Sequence, residues 1–126
     1  MWKLIDGKIF AFFMYTEDKE FLEEYVSDKL YGFSALVRKI IENETNKYMS
    51  EYVFIKNKLK NMKEKYDKTL KNDDFTMTSV KIEKIDLNIL QYLAYNNNTS
   101  TGGYLRQLIH NEVRRLKENE NQWRNI

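Results

Sequence analysis

Apolar residues recur at helical spacing from Thr99 to Leu116, with Tyr104, Leu105, Leu108, Ile109, Val113 and Leu116 along one face. Thr99, Ser100 or Thr101 stands ahead of them as an N-cap, because a hydroxyl there accepts an otherwise unpaired amide of the first turn. The same pattern runs from Gly32 to Glu44, where Leu36, Val37, Arg38, Ile40 and Ile41 take the places of Tyr104, Leu105, Arg106, Leu108 and Ile109. Arg106 follows Arg38 by 68 positions, a separation at which whole supersecondary units repeat. The chain reads as two copies of one unit.

Each copy opens on a different period. Ile9–Tyr15 is rich in aromatic and β-favouring residues and predicts a strand. That strand is either Lys8–Tyr15 alone or the second arm of a hairpin, with Trp2–Ile5 as the first arm and Asp6-Gly7 as the turn. From Phe75 to Ile85, Thr78, Val80 and Ile82 alternate with Ser79, Lys81 and Glu83, a strand with one wet face. A helix follows each strand. Thr16 is the expected cap of the first, with Glu17 and Asp18 in its opening turn and Phe21, Leu22, Tyr25 and Val26 as its stripe. The other carries Leu87, Leu90, Leu93 and Ala94 and ends in Asn96-Asn97-Asn98, residues that tolerate left-handed turns. Two strand-helix-helix units result, residues 1–45 and 75–126, in a mainly α chain with short β-strands. Between them, in residues 46–74, Tyr48, Tyr52, Ile55, Leu59, Met62, Tyr66 and Leu70 form a narrow seam that predicts one continuous helix. A seam that long must be covered, either by the chain's own core or by a second chain.

Composition narrows the function. At 126 residues the chain is one domain, or two small halves that need each other to bury a core. With 42% hydrophobic and 32% charged residues it is too apolar for disorder and too charged for a membrane protein. The apolar run Ile9–Tyr15 is too short to cross a bilayer, so a soluble, cytoplasmic protein is expected. Without cysteine there is no disulfide framework, thiolate metal site or cysteine nucleophile. His110 is the single histidine and reads as a helix-surface or satisfied side chain rather than a base. No carboxylate pair or phosphate-binding glycine loop stands out, so no enzyme, metal, cofactor or small-molecule substrate is expected. The net charge of +2 neither demands nor excludes nucleic acid, although lysines crowd Lys56–Lys71 and arginines gather at Arg106, Arg114 and Arg115.

Strand, helix, short turn and a capped second helix with an apolar-apolar-Arg run resembles the ribbon-helix-helix family of DNA-binding regulators. The residues that carry the likeness are Thr78–Ile82, then Leu90, Leu93 and Ala94, then Ser100–Ile109. Their counterparts are Phe10–Met14, then Leu22, Tyr25 and Val26, then Gly32–Ile41. The resemblance implies that the strands pair as an antiparallel ribbon over a shared four-helix core, joined by a helical linker, and that the ribbon enters the major groove of double-stranded DNA. Ser79, Lys81 and the marginal Met77 then face base edges, as do Ala11 and Phe13 in the first strand. It also implies a DNA phosphate at the N-terminus of each second helix, on Ser100, Thr101, Gly102 and Gly103 and on Gly32, Phe33 and Ser34. Glycine costs about 1 kcal/mol against alanine in a helix, so a plain N-cap leaves Gly102 and Gly103 unexplained. The implied role is transcription regulation, for instance as a repressor, resembling tandem members from archaeal viruses or plasmids. The ribbon closes either within one chain, as a pseudo-dimer, or in a homodimer. The alternative is an interaction or structural protein that keeps the fold and binds proteins through the apolar first strand and the Tyr48–Leu70 seam.

Overall fold

A computed structural model describes residues 7–68 and 72–124. Strand β1 (Gly7–Tyr15) leads into α1 (Thr16–Tyr25) and α2 (Phe33–Thr45), and a 3-10 turn over Asn46–Glu51 leads to α3 (Tyr52–Leu59). Strand β2 (Phe75–Glu83) then leads into α4 (Lys84–Asn96) and α5 (Thr101–Arg124). The two strands form one antiparallel sheet within the chain, from Gly7 opposite Glu83 to Tyr15 opposite Phe75, with Ala11 opposite Ser79 at the centre. A lone strand would leave its backbone polar groups without partners, so each half supplies what the other lacks.

The element starts keep a common spacing. Gly7 and Phe75, Thr16 and Lys84, and Phe33 and Thr101 open corresponding elements, and each pair lies 68 residues apart. The centre of the ribbon obeys the same spacing, since Ala11 and Ser79 face each other across it. A local two-fold relation therefore passes between these two residues. The core repeats in step: Phe12 and Val80, Met14 and Ile82, Leu22 and Leu90, Val37 and Leu105, and Ile41 and Ile109 are all buried. They belong to one cluster under the inner face of the ribbon, which Val113 and Leu116 extend along α5. Full burial of a side chain of this size contributes roughly 1.5–3 kcal/mol, and neither half collects enough of them alone.

Two buried carboxylates repeat as well. Asp18 and Asp86 each sit in the opening turn of a helix that follows a strand. The Asp18 carboxylate lies 2.9 Å from Nδ1 of His110 on α5, and Asp86 accepts a 2.7 Å hydrogen bond from the Thr45 hydroxyl on α2. Each acid thus reaches across to the second helix of the opposite half. A buried carboxylate without such a partner would cost several kcal/mol, by order of magnitude.

Several expectations are corrected. Helix α3 ends at Leu59 instead of running on to Leu70, and residues 62–68 carry no regular structure. The first part of the seam is nevertheless used, because Tyr48, Tyr52, Ile55 and Leu59 pack against Ile89 and Leu93 of α4. Past Leu59 the apolar positions lose this support: Met62 is half-buried and Tyr66 is 93% exposed. Leu70 lies outside the described residues, as does the Trp2–Ile5 arm. Thr16 begins α1 without capping it, and its hydroxyl lies 2.8 Å from that of Thr76 across the ribbon. The Asn96–Asn98 turn closes as expected on a left-handed residue, Asn98, at φ 58°.

Candidate nucleic-acid interface

The pleat sends alternate side chains to opposite faces of the ribbon. Inward go Phe12, Met14, Thr78, Val80 and Ile82, all buried. Outward go five opposed pairs: Gly7 with Glu83, Ile9 with Lys81, Ala11 with Ser79, Phe13 with Met77, and Tyr15 with Phe75. All five residues expected to face bases lie on this outer face. Ala11, Met77, Ser79 and Lys81 are exposed, and Phe13 is half-buried. Ile9, not among the expected residues, is the most open of the large apolar ones at 76%, with Met77 at 46%. Strict alternation from Ala11 and Phe13 places it there. Besides apolar groups the face holds the Lys81 ammonium and the Ser79 hydroxyl; the Tyr15 phenol and the Phe75 ring close it at one end, ring centroids 5.2 Å apart, and Glu83 lies at the other.

The two second-helix N-termini differ. In α5 the cap is Ser100: its hydroxyl accepts a 2.9 Å bond from the amide of Gly103, and its carbonyl accepts the amide of Tyr104 at 2.9 Å. Both glycines acquire packing reasons. A Cβ on Gly102 would sit 3.3 Å from the Cβ of Phe12, where α5 crosses β1, and one on Gly103 would collide with the Thr99 hydroxyl at 2.7 Å. Glycine here lets the helix approach the strand and lets the capping hydroxyls fold over the first turn. Ser100, Thr101 and Gly102 are buried. At α2 the cap is Gly32, with no side-chain bond; Gly32 and Ser34 are exposed and Phe33 is half-buried. A Cβ on Gly32 would meet open space among the described residues.

Part of what covers α5 is the segment after α3. Residues 64–67 line a groove of about 370 Å³ with Phe10–Phe13, Met77, Ser100 and Gly102. Asp67 grips Arg106, its Oδ2 accepting from Nη1 at 2.7 Å and its Oδ1 from Nη2 at 3.3 Å. The same guanidinium donates to the Phe13 carbonyl at 3.1 Å and lies 5.6 Å from the Phe75 ring centroid. Lys65 donates to the Asn98 side-chain oxygen, tying the segment to the α4–α5 turn. The carboxylate also lies close to the helix end, with Oδ2 3.4 Å from the place of a Cβ on Gly102. Asp67 and Arg106 went unassigned in the sequence; the one signal was the recurrence of an arginine at 38 and 106. One turn further along, burial first, then the Glu44 carboxylate and Tyr48, push the Tyr104 phenol up to about 12.

Among the described residues no cluster of three or more His, Asp or Glu side chains could hold a metal ion, and no helix is long and apolar enough to cross a membrane. The chain matches no family model, no curated protein and no solved structure.

Proposed function

We propose that the chain is a tandem ribbon-helix-helix protein that binds double-stranded DNA through the outer face of its ribbon and so regulates transcription. The observation that carries this reading is the 68-residue relation itself, with Ala11 opposite Ser79 and both strands followed by two helices. A two-stranded ribbon has the width of the major groove, and a local two-fold at its centre matches the local two-fold of the duplex. Lys81 donates to guanine acceptors, and Ser79 pairs with several bases. Ile9, Ala11 and Met77 supply apolar contact to thymine methyl groups. The exposed N-terminus of α2 presents free amides and its positive dipole end to a phosphate. Because the ribbon closes within one chain, a single molecule suffices as the binding unit. Its halves carry different outward side chains, so the preferred site is asymmetric rather than palindromic.

A second reading is favoured by one observation: the outer face is mostly apolar, with Ile9 at 76% and Met77 at 46% exposure. On that reading the ribbon docks a protein. Anisotropy of a labelled random-sequence duplex across a salt series separates the two. DNA binding predicts an affinity that falls as salt rises, with log–log slope of about −0.9 per phosphate neutralised. Selection from a random duplex pool then yields an asymmetric consensus. Absence of duplex binding at low salt would refute the DNA reading and leave protein docking.

A further inference from the structure

The N-termini of α2 and α5, the two ends that the DNA reading sets on phosphates, are not in the same state. Residues 32–34 correspond, by the 68-residue spacing, to residues 100–102. Gly32 and Ser34 are exposed, whereas Ser100, Thr101 and Gly102 are all buried. What distinguishes the α5 end is an acid that has no place in either repeat. Asp67 belongs to the joining segment, yet its carboxylate sits beside the first turn of α5 and is chelated by Arg106 through both oxygens. Carboxylate and guanidinium side chains are only 19% and 15% exposed, so solvent screens the pair weakly.

We propose that residues 62–68 are an intramolecular strap whose Asp67 carboxylate holds the place of a DNA phosphate at the α5 N-terminus, so that the free protein is autoinhibited at that end. The inference rests on the DNA-binding reading and adds regulation to it. A carboxylate and a phosphate diester are both oxyanions that bind a guanidinium through two oxygens, and both are stabilised by a helix N-terminus. They cannot share the site, because two anions at contact distance repel and Asp67 already takes the Nη1–Nη2 edge of Arg106. Glu64–Asp67 also border the groove beside Phe13 and Met77. A duplex laid on the ribbon and reaching α5 must therefore displace the strap, and Arg106 is then released to take the phosphate. The α2 end engages DNA without this step, so binding begins there and completes at α5 once the strap lifts. Closure of the strap divides the intrinsic affinity by the fraction of molecules in which it is open.

The test compares the full-length parent with Asp67→Asn and with Glu64→Gln, which removes the same charge from the same segment but does not bond Arg106. Affinity for a labelled random-sequence duplex is read at 150 mM salt. Asp67→Asn is expected to bind on the order of tenfold tighter than the parent, within the range of intramolecular couplings, and Glu64→Gln by less than about twofold. Equal gains from both variants would mean a general charge effect and overturn the strap. So would an Asp67→Asn protein that binds as the parent does, a result that leaves the DNA reading intact. Failure of parent and variants alike to bind duplex overturns both. If Asp67→Asn does not fold, trypsin cleavage of the parent decides: cutting after Lys63, Lys65 and Lys68 should rise when duplex saturates the protein. Unchanged or slower cutting would show that the strap stays down.

Discussion

Ile41 and Ile109 are the same residue in the same place of the two halves, both with no exposed surface. Conversion of each to valine removes one methylene from a filled core. The transfer loss is about 0.8 kcal/mol, and incomplete collapse around the vacated space brings the total to about 1 kcal/mol, within the usual range for this substitution. A chain of this length has about 5–15 kcal/mol of stability, so both single variants and the double variant stay folded. With a urea slope of roughly 1–3 kcal/mol per molar, a loss near 1 kcal/mol moves the midpoint down by about 0.3–1 M. The assay is urea unfolding followed by far-UV and near-UV circular dichroism. Three results are expected: similar midpoint shifts for Ile41→Val and Ile109→Val, an unchanged slope, and one transition seen alike by both probes. The single transition follows because both residues sit in one cluster that spans both halves. If one substitution is neutral, or if unfolding separates into two steps with each step sensitive to a different isoleucine, the halves do not share a core. The 68-residue spacing would then be a coincidence of sequence and not the repeat of a shared core.

Other outcomes are expected from single sites. Lys81→Ala, an exposed change on the outer face, should weaken duplex binding by about 1–3 kcal/mol while melting stays at the parent temperature; early melting would show that the side chain supports the fold instead. Ser100→Ala removes the acceptor for the Gly103 amide and should lower stability by about 1 kcal/mol in urea, an effect absent from Ser34→Ala, whose hydroxyl caps nothing. Tyr104 should be a late-titrating tyrosine, its phenolate absorbance rising only towards pH 12 and missing from that range in Tyr104→Phe. Because its folded value is raised above the ordinary 10, its contribution to stability is complete below pH 10 and is lost between pH 10 and about 12. A Tyr104 that ionises near pH 10 would show that its phenol is not buried beside Glu44 as the fold requires.

Much of this protein is determined by short-range pattern and can be read without coordinates. Alternation in Thr78–Ile82 puts Val80 and Ile82 inside and Ser79 and Lys81 outside, since a strand's side chains have no other period. The 68-residue spacing of Arg38 and Arg106 reappears as the register of the ribbon, because paired strands and stacked stripes must repeat in step to bury one core. Asn98 adopts the left-handed turn that its residue type tolerates. The joining segment is different. From Tyr48 to Leu70 the apolar spacing describes a helix long enough to continue, but a stripe holds a helix only as far as something covers it. The cluster on helix α4 takes in the seam up to Leu59, where α3 ends. Beyond that point the chain's path is decided by partners distant in sequence: Asn98 for Lys65, and Arg106 for Asp67. The same holds for Asp18 with His110 and Asp86 with Thr45, which join opposite halves. The role of Gly102 also waited on the crossing of α5 over β1. Periodicity states which face of an element seeks burial; only the assembled fold decides what meets that face, and therefore which helix ends stay exposed.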